Sequence, residues 1–472
     1  MNYQEALAFL YSRANFERTG IFARDAEGNL RRMRALLAQL GDPHLAYPTT
    51  HIAGTKGKGS TAVLIASALI ASGIRTGLYT QPDLHTFRER IQIDGIPIDE
   101  AEVAESVPIL QAALERLDPA DAQQIITYEL GTALAFLAFK RHDVQNAVIE
   151  VGLGGRLDAT NVILPLVSVI TSISLDHTAI LGDTIAAIAA EKAGIIKTGV
   201  PVVTSAQHPD ALRVIATTCA ERDARLIRVG PVGSESDYTY EPLRHGEQRI
   251  ADRDDLVPPP FAIHTLADDR EIQIALLGDH QRQNAAAALA ALDVLRERGV
   301  PVTDDGIQEG FRRARWPARL DVVGSRPWLV VDGAHNADSL AHLMTALADL
   351  FVCARLHIVI GTLRDKDAAG MAQAILAHRD QLGTIVATQG TSPRALSADQ
   401  LATHFTNSPN VMTQPGVGEA IALALQHAAP EDLVCVTGSL HLAGEALRWI
   451  KAHSDDPLAQ RIVVAGDDHG GE

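Results

Sequence analysis

Short apolar runs rich in Val, Ile and Thr alternate along this chain with longer stretches in which apolar side chains recur every third or fourth position. The runs predict strands buried on both faces, and the longer stretches predict helices laid against them; together they give a mostly parallel sheet. Residues 3–40 read as two helices, the second from Leu30 to Leu40 and stopped by Gly41. Strand Thr50–Ile52, helix Thr61–Ser72 and strand Thr76–Tyr79 follow. The string RIQIDGIPI alternates about Asp94 and Gly95, a hairpin signal. Next come helices Ala101–Arg116 and Thr127–Arg141, strand Asn146–Val151, and a strand in VSVITSISLDHT that ends at Asp176 and His177. Helix Thr184–Ala193, closed by Gly194, and strand Pro201–Thr204 complete this series.

The rhythm breaks across 230–270, where Pro, Gly, Asp and Arg crowd together and an irregular or antiparallel insertion is expected. Regular structure resumes at Ile272–Leu277, and an Ala-rich helix spans Ala285–Arg298. Pro317 in RRARWPARL should interrupt the preceding helix and marks a boundary. A second series of strands and helices follows, with strands Trp328–Val331, Leu356–Ile360, Thr384–Ala387 and Leu433–Val436. The expected architecture is α/β throughout. A P-loop ATPase-like domain with a mostly parallel sheet covers 1–314 and carries the insertion; a smaller Rossmann-like domain covers 315–472 and ends in a loose AGDDHGGE tail.

Composition narrows the function classes. At 472 residues and 46% hydrophobic content the chain can bury real cores. Its net charge of −17 lacks the basic footprint that nucleic acid or an anionic membrane requires. Charges interrupt the N-terminal apolar pattern, so no leader is expected, and no apolar run reaches spanning length. Cys219, Cys353 and Cys435 lie far apart, which suggests neither a disulfide framework nor a zinc site and suits a reducing cytoplasm.

The stretch His51–Thr61, HIAGTKGKGST, carries the chemistry. A strand gives way to three glycines and two lysines and then to a helix N-terminus. Glycines let such a loop turn its N–H groups inward, the helix end favours an anion, and Lys58 supplies a point charge: a phosphate site. The spacing is not that of a standard P-loop. Ile52 stands where Gly is expected and Gly59 where a hydroxyl is, with Ser60 and Thr61 arriving one residue late. An ordinary glycine-rich turn is the alternative. Downstream, Glu150 before GLGG and Asp176-His177 close strands, and open α/β sheets keep their chemistry at such ends.

The strings GTKGKGS, EVGLGGRLDATN, LDHTAILGDTIAAIAAEKAGI, GDHQRQNAA, RWPARL, DGAHN, GTLRDKD and TGSLHL, in this order, resemble the bacterial folylpolyglutamate synthase and dihydrofolate synthase family, within the Mur ligase group. The resemblance implies an enzyme in which ATP phosphorylates a carboxylate of folate or dihydropteroate and the amine of L-glutamate attacks the acyl phosphate. It implies Mg²⁺, with a second divalent or a monovalent cation as an option, and a monomer. Gly54, Thr55, Gly57, Lys58, Gly59, Ser60 and Thr61 match the ATP loop. Glu150 and His177 match metal ligands, and Lys192 matches a lysine carried as a carbamate. Asn284 matches an adenine contact. Arg319, Asp332 and His335 match second-domain groups for phosphate, ribose and the reacting phosphoryl. Thr127 and Asp158 match positions near the pterin, and Arg394, Ser439 and the Arg364–Asp367 loop are candidates for glutamate binding or domain closure.

Without the resemblance, a strand-end Glu is ordinarily paired, a lone His structural and a helix Lys solvated. One departure stands out: where the family has TSPHL, this chain has Thr80-Gln81-Pro82-Asp83-Leu84, which leaves two options, Gln81 or Asp83 as an oxygen ligand, or His85 displaced by register. Two other readings are a Mur-type ligase for a different carboxylate and a P-loop NTPase without ligase chemistry.

Overall fold

The computed structural model describes residues 1–14, 28–244, 247–406, 408 and 410–453; the AGDDHGGE tail lies outside them. The chain divides into two compact units. The first comprises Met1–Pro242, Pro259–Ala275 and Asp279–Arg315; the second comprises Leu243–Pro258, Leu276–Gly278 and the chain from Trp316 onward.

In the first unit Thr49–Ala53 is the central strand, buried at every residue and paired in parallel with Asn146–Glu150 and Val167–Ile170. Burial on both faces explains why this strand and its neighbours read as continuous apolar runs. Thr76–Tyr79 lies beyond Asn146–Glu150, while Val202–Thr204 and Leu226–Pro231 lie beyond Val167–Ile170, all in parallel. The Ile91–Ile93 and Ile96–Pro97 hairpin closes one edge. Tyr238–Tyr240, Phe261–His264 and Asp269–Ile272 extend the other edge, so eleven strands form one sheet among the described residues.

Helix Lys58–Ala71 follows the central strand and is buried at almost every position from Ser60 to Leu69. It is so enclosed because two helices press on it, one through alanines and the other through glycines. Ala285–Ala291 of helix Asp279–Glu297 are fully buried, and a Cβ on Gly310 of helix Asp304–Arg313 would stand 2.4 Å from the Ala68 backbone. The N-terminal helix Tyr3–Tyr11 is opened by a capping box, Asn2 Oδ1 accepting from Glu5 N at 2.9 Å and Glu5 Oε2 from Asn2 N at 2.9 Å.

The second unit holds a six-stranded sheet. Trp328–Val331, Leu433–Thr437, Leu356–Ile360, Leu382–Ala387 and Val411–Thr413 run parallel in that order, and Asp321–Ser325 caps the edge antiparallel. Val330, Ile358, Ile385 and Cys435 are fully buried in its core. Ile250, from the insertion, is buried in the same core and donates its N–H to Leu350 O at 2.6 Å.

Several expectations need correction. The strand in VSVITSISLDHT ends at Ile170, because Thr171–Ser174 turn away to bind the glycine loop, and His177 caps a short helix, Thr178–Leu181. Ile272 closes a strand instead of opening one: Asp269–Ile272 pairs back on Phe261–His264. The Ala-rich helix begins at Asp279, since polar GDHQRQN supplies its first turn. The insertion is divided, its strands joining the first unit's sheet and Leu243–Pro258 joining the second unit.

Candidate functional site

The glycine loop is shaped by what approaches it. A Cβ on Gly54 would fall 1.7 Å from Thr171 Oγ1, and one on Gly57, where φ is +84°, would fall 2.4 Å from Asn284 Oδ1. Both positions therefore require glycine for close approach, and Gly57 also for its left-handed backbone. Thr55 N donates to Ser172 O at 2.8 Å and Thr171 Oγ1 donates to Lys56 O at 2.7 Å, which pins the loop to the segment after Val167–Ile170. No side chain caps the helix that starts at Lys58, so its terminal N–H groups and dipole point at the loop as an anion site. Ser60 and Thr61 are buried in that first turn.

Around the loop a small pocket is lined by Gly54, Thr55, Lys58, Val151, Gly152, Leu153, Gly154, Asp176, His177, Leu181 and Lys192. Lys58 Nζ stands 3.9 Å from Glu150 Oε1, and Glu150 Oε2 accepts from Gln81 N at 3.2 Å. Lys192 is buried and its Nζ donates to Gly54 O at 2.8 Å. Burial, reinforced by Lys58 and opposed by Asp176 and Asp158, lowers the Lys192 pKa to about 7. His177 holds a left-handed φ of +49°, and its N–H donates to Asp176 Oδ1 at 2.9 Å.

The departing TQPDL loop is organised internally. Asp83 Oδ1 accepts from Arg90 Nε at 2.5 Å, and His85 Nδ1 faces Glu89 Oε1 at 3.2 Å. The Glu89 carboxylate also accepts from Leu84 N, His85 N and Thr86 N at 2.8–3.1 Å. Burial alone would raise its pKa, but the His85 side chain and these N–H groups hold it at about 2. Asp83 and His85 thus serve the loop itself, and Gln81 meets Glu150 through its backbone.

Other candidates have structural partners. Asn284 Nδ2 donates to Gln281 Oε1 at 2.9 Å while its Oδ1 packs on Gly57. Thr127 Oγ1 donates to Leu10 O at 2.8 Å and anchors the N-terminal helix. Asp158 is buried beneath the second glycine turn, where burial raises its pKa although hydrogen bonds oppose this.

In the second unit, Arg319 is half-buried between two residues with left-handed backbone, Ala318 at φ +58° and Leu320 at φ +46°. Asp332 holds that loop, accepting from Leu320 N at 2.9 Å and from Ala334 N at 2.8 Å. Non-glycine residues in this region are costly; Asp332 fixes Leu320, and Asp321 Oδ2 fixes Ala318 by accepting from its N–H at 3.1 Å. Burial raises the Asp332 pKa despite Arg319. His335 Nδ1 lies 3.1 Å from Gly333 O; as donor there it leaves Nε2 the basic nitrogen. Arg394 Nη2 donates to Asp365 Oδ2 at 2.6 Å, and Ser439 Oγ accepts from Leu442 N at 3.1 Å as a helix cap.

Among the described residues no three His, Cys, Asp or Glu side chains converge as a ready metal shell. The oxygen donors around Lys58, Asp176 in the pocket wall next to His177 and Glu150 3.9 Å from the Lys58 ammonium, suit in kind a hard cation that takes one or two carboxylates and completes its shell with water and phosphate, as Mg²⁺ does. Sequence reasoning did not find Thr171 or Tyr128; neither belongs to a motif, and their roles exist only through contacts remote in sequence.

Two family profiles match the chain: the Mur ligase middle domain over residues 52–292 and the Mur ligase glutamate ligase domain over 318–440. A folylpolyglutamate synthase of Lacticaseibacillus casei is 38% identical over 450 residues, covering 94% of this chain and 97% of that protein. A dihydrofolate synthase/folylpolyglutamate synthase of Bacillus subtilis is 35% identical, covering 95% and 99%. The structure of E. coli FolC in complex with DHPP and ADP superposes with a TM-score of 0.80 at 28% identity, covering 96% of this chain and 98% of that one.

Proposed function

The chain belongs to the folylpolyglutamate synthase and dihydrofolate synthase family of Mur ligases, and from that premise we propose that it is an ATP-dependent ligase joining L-glutamate to a carboxylate of folate or dihydropteroate. A carboxylate is a poor electrophile. Transfer of the γ-phosphoryl group of ATP to one of its oxygens creates a carbon bearing a good leaving group; the glutamate amine adds there, phosphate leaves, and the amine gives up a proton. The observation that carries this reading is the uncapped helix N-terminus with Lys58 beside Glu150 and Lys192 behind Gly54.

Loop N–H groups and Lys58 hold the phosphates and offset the charge that develops on the transferring oxygens. Glu150 keeps Lys58 oriented. Glu150, His177 and a carbamylated Lys192 would hold Mg²⁺, which when bound neutralises crowded phosphate oxyanions. With a pKa of about 7, Lys192 is neutral in a large share of molecules near neutral pH. The neutral amine can add to CO₂ with loss of a proton, replacing a cation that repels Lys58 with an oxygen anion. Asn284, packed on Gly57, is assigned to the base of ATP, and Arg319, Asp332 and His335 to the second unit's share of turnover. The reading includes a monomer in the cytoplasm; Cys219, Cys353 and Cys435 are free thiols, and among the described residues no helix is long and apolar enough to cross a membrane.

The test is substrate profiling of purified protein with dihydropteroate and with tetrahydrofolate, each with ATP, Mg²⁺ and glutamate, read by product mass. Both are expected to gain a glutamate. Glutamate added to neither, while another carboxylate is extended, would overturn the folate assignment.

A further inference from the structure

Helix Asp279–Glu297 opens with polar residues that are nevertheless buried: Gln281 is 1% exposed, Arg282 4% and Asn284 5%. A cation in the first turn meets the positive end of the helix dipole and also gives up its water, so Arg282 occupies a costly position unless other groups compensate. Two strands of the first unit do so. The Arg282 guanidinium carbon lies 4.8 Å from the centre of the Phe261 ring, and Nη1 donates to Glu241 O at 3.0 Å. Glu241 N donates to Ala262 O at 3.1 Å, which ties the two contact points to each other. Glu241 stands just before the chain leaves the first unit at Pro242, and Phe261 just after it returns at Pro259. Arg282 thus fastens the start of the helix to two strand ends that the chain path leaves otherwise unjoined. Next to it, Gln283 Nε2 donates to Ser205 O at 2.6 Å, and Asn284 Oδ1 packs on Gly57 of the glycine loop. The far end of the helix is attached separately: Asp293 Oδ2 accepts from Tyr238 Oη at 2.8 Å and Oδ1 from Arg270 Nη1 at 2.9 Å.

We propose that Arg282 is a positioning residue for the nucleotide: clamped by Phe261 and Glu241, it fixes the first turn that carries Asn284 to the glycine loop, so that the strands Tyr238–Tyr240 and Phe261–His264 set the affinity for ATP and ADP. The inference rests on the reading in which Asn284 meets the base of ATP. Gly57 leaves no slack on the other side of that turn, since a Cβ there would fall 2.4 Å from Asn284 Oδ1. A first turn released from the strands would carry Asn284 away from this contact. The base takes no part in phosphoryl transfer, so a contact made to it is equally strong before and during the reaction, and its loss falls on affinity while turnover is kept.

The test is ADP binding by titration calorimetry, with kcat at saturating ATP measured alongside. Arg282→Met keeps the length of the stem and removes the guanidinium; its Kd for ADP should rise about tenfold while kcat stays within about twofold. Phe261→Leu keeps an apolar side chain and removes the ring face, and its Kd should rise about threefold. Asp293→Ala loosens the same helix from the same strands, but about 16 Å further along the helix axis, and should leave Kd within about twofold. An unchanged Kd in Arg282→Met overturns the proposal. So does an equal rise in Asp293→Ala, which would mean that any loosening of the helix has this effect. Should Arg282→Met not fold, Phe261→Leu decides in its place by the same criterion. Wild-type protein that binds no ADP would overturn the nucleotide reading together with the proposal, whereas ADP binding that the two near-end variants leave unaltered would overturn the proposal alone.

Discussion

Lys58 carries the phosphate chemistry as a charge on a flexible stem at the start of a buried helix, its ammonium 3.9 Å from Glu150. Lys58→Ala should reduce kcat by roughly a hundredfold to a thousandfold, the loss of about 3–4 kcal/mol of stabilisation for the moving phosphoryl group. Circular dichroism should remain unchanged, because the helix it opens is held by the buried residues from Ser60 to Leu69; a near-normal rate would remove this loop from the reaction. Lys192 is the opposite kind of lysine, enclosed and pressed toward neutrality by its surroundings. Lys192→Ala should lose activity, and added formate or acetate should restore part of it by entering the emptied space as an oxygen anion. Full activity in that variant would sink the carbamate proposal, whereas loss without rescue would leave the ammonium bonded to Gly54 O as the working species.

At the scale of elements, the site depends on helices that approach more closely than ordinary side chains permit. Helix Lys58–Ala71 is held by Gly310 and Ala285–Ala291, and a Cβ on Gly310 would stand 2.4 Å from the Ala68 backbone. Gly310→Ala should therefore destabilise the first unit by about 1–3 kcal/mol through overpacking, despite the higher helix propensity of alanine. Urea unfolding followed by circular dichroism checks the sign: a variant as stable as the parent would mean that the helices separate at no cost. The loop 81–90 uses another device. One carboxylate, Glu89, gathers three consecutive N–H groups and the ring of His85, so the departure from the family pattern in Thr80–Leu84 is absorbed inside the loop.

At the scale of the whole molecule, the chain leaves the first unit at Pro242, returns at Pro259, leaves again at Ala275 and returns at Asp279 before passing into the second unit at Trp316. The second unit is consequently not a simple C-terminal appendage; its core includes Ile250. Its chemistry is concentrated in the loop where Ala318 and Leu320 hold left-handed backbone on either side of Arg319, with Leu320 N donating to Asp332 and Ala318 N to Asp321. Arg319→Ala should abolish turnover at saturating substrates while leaving the fold intact, measured by phosphate release alongside circular dichroism. Full activity would show that ligation does not use this guanidinium.

By itself the sequence determined the alternation of strand and helix, the glycine loop with Lys58 at a helix start, and the second glycine turn after Glu150. Those features are local: burial on both faces writes itself as an apolar run, and a tight turn writes itself as glycine. Its ordered motifs also identified the family. The tertiary structure alone decided what depends on residues distant in sequence. Thr171 forbids a side chain at Gly54, Asn284 forbids one at Gly57, and Tyr128 forbids one at Gly152. The end of the strand at Ile170 was decided in the same way, because the Thr171 and Ser172 hydroxyls and the Ser172 carbonyl are engaged by the glycine loop. The low pKa of Lys192 arises from enclosure by segments scattered along the chain, and no pattern around residue 192 announces it. Asp158 reads as a polar residue in a loop, and only the fold reveals a buried carboxylate that accepts from five donors.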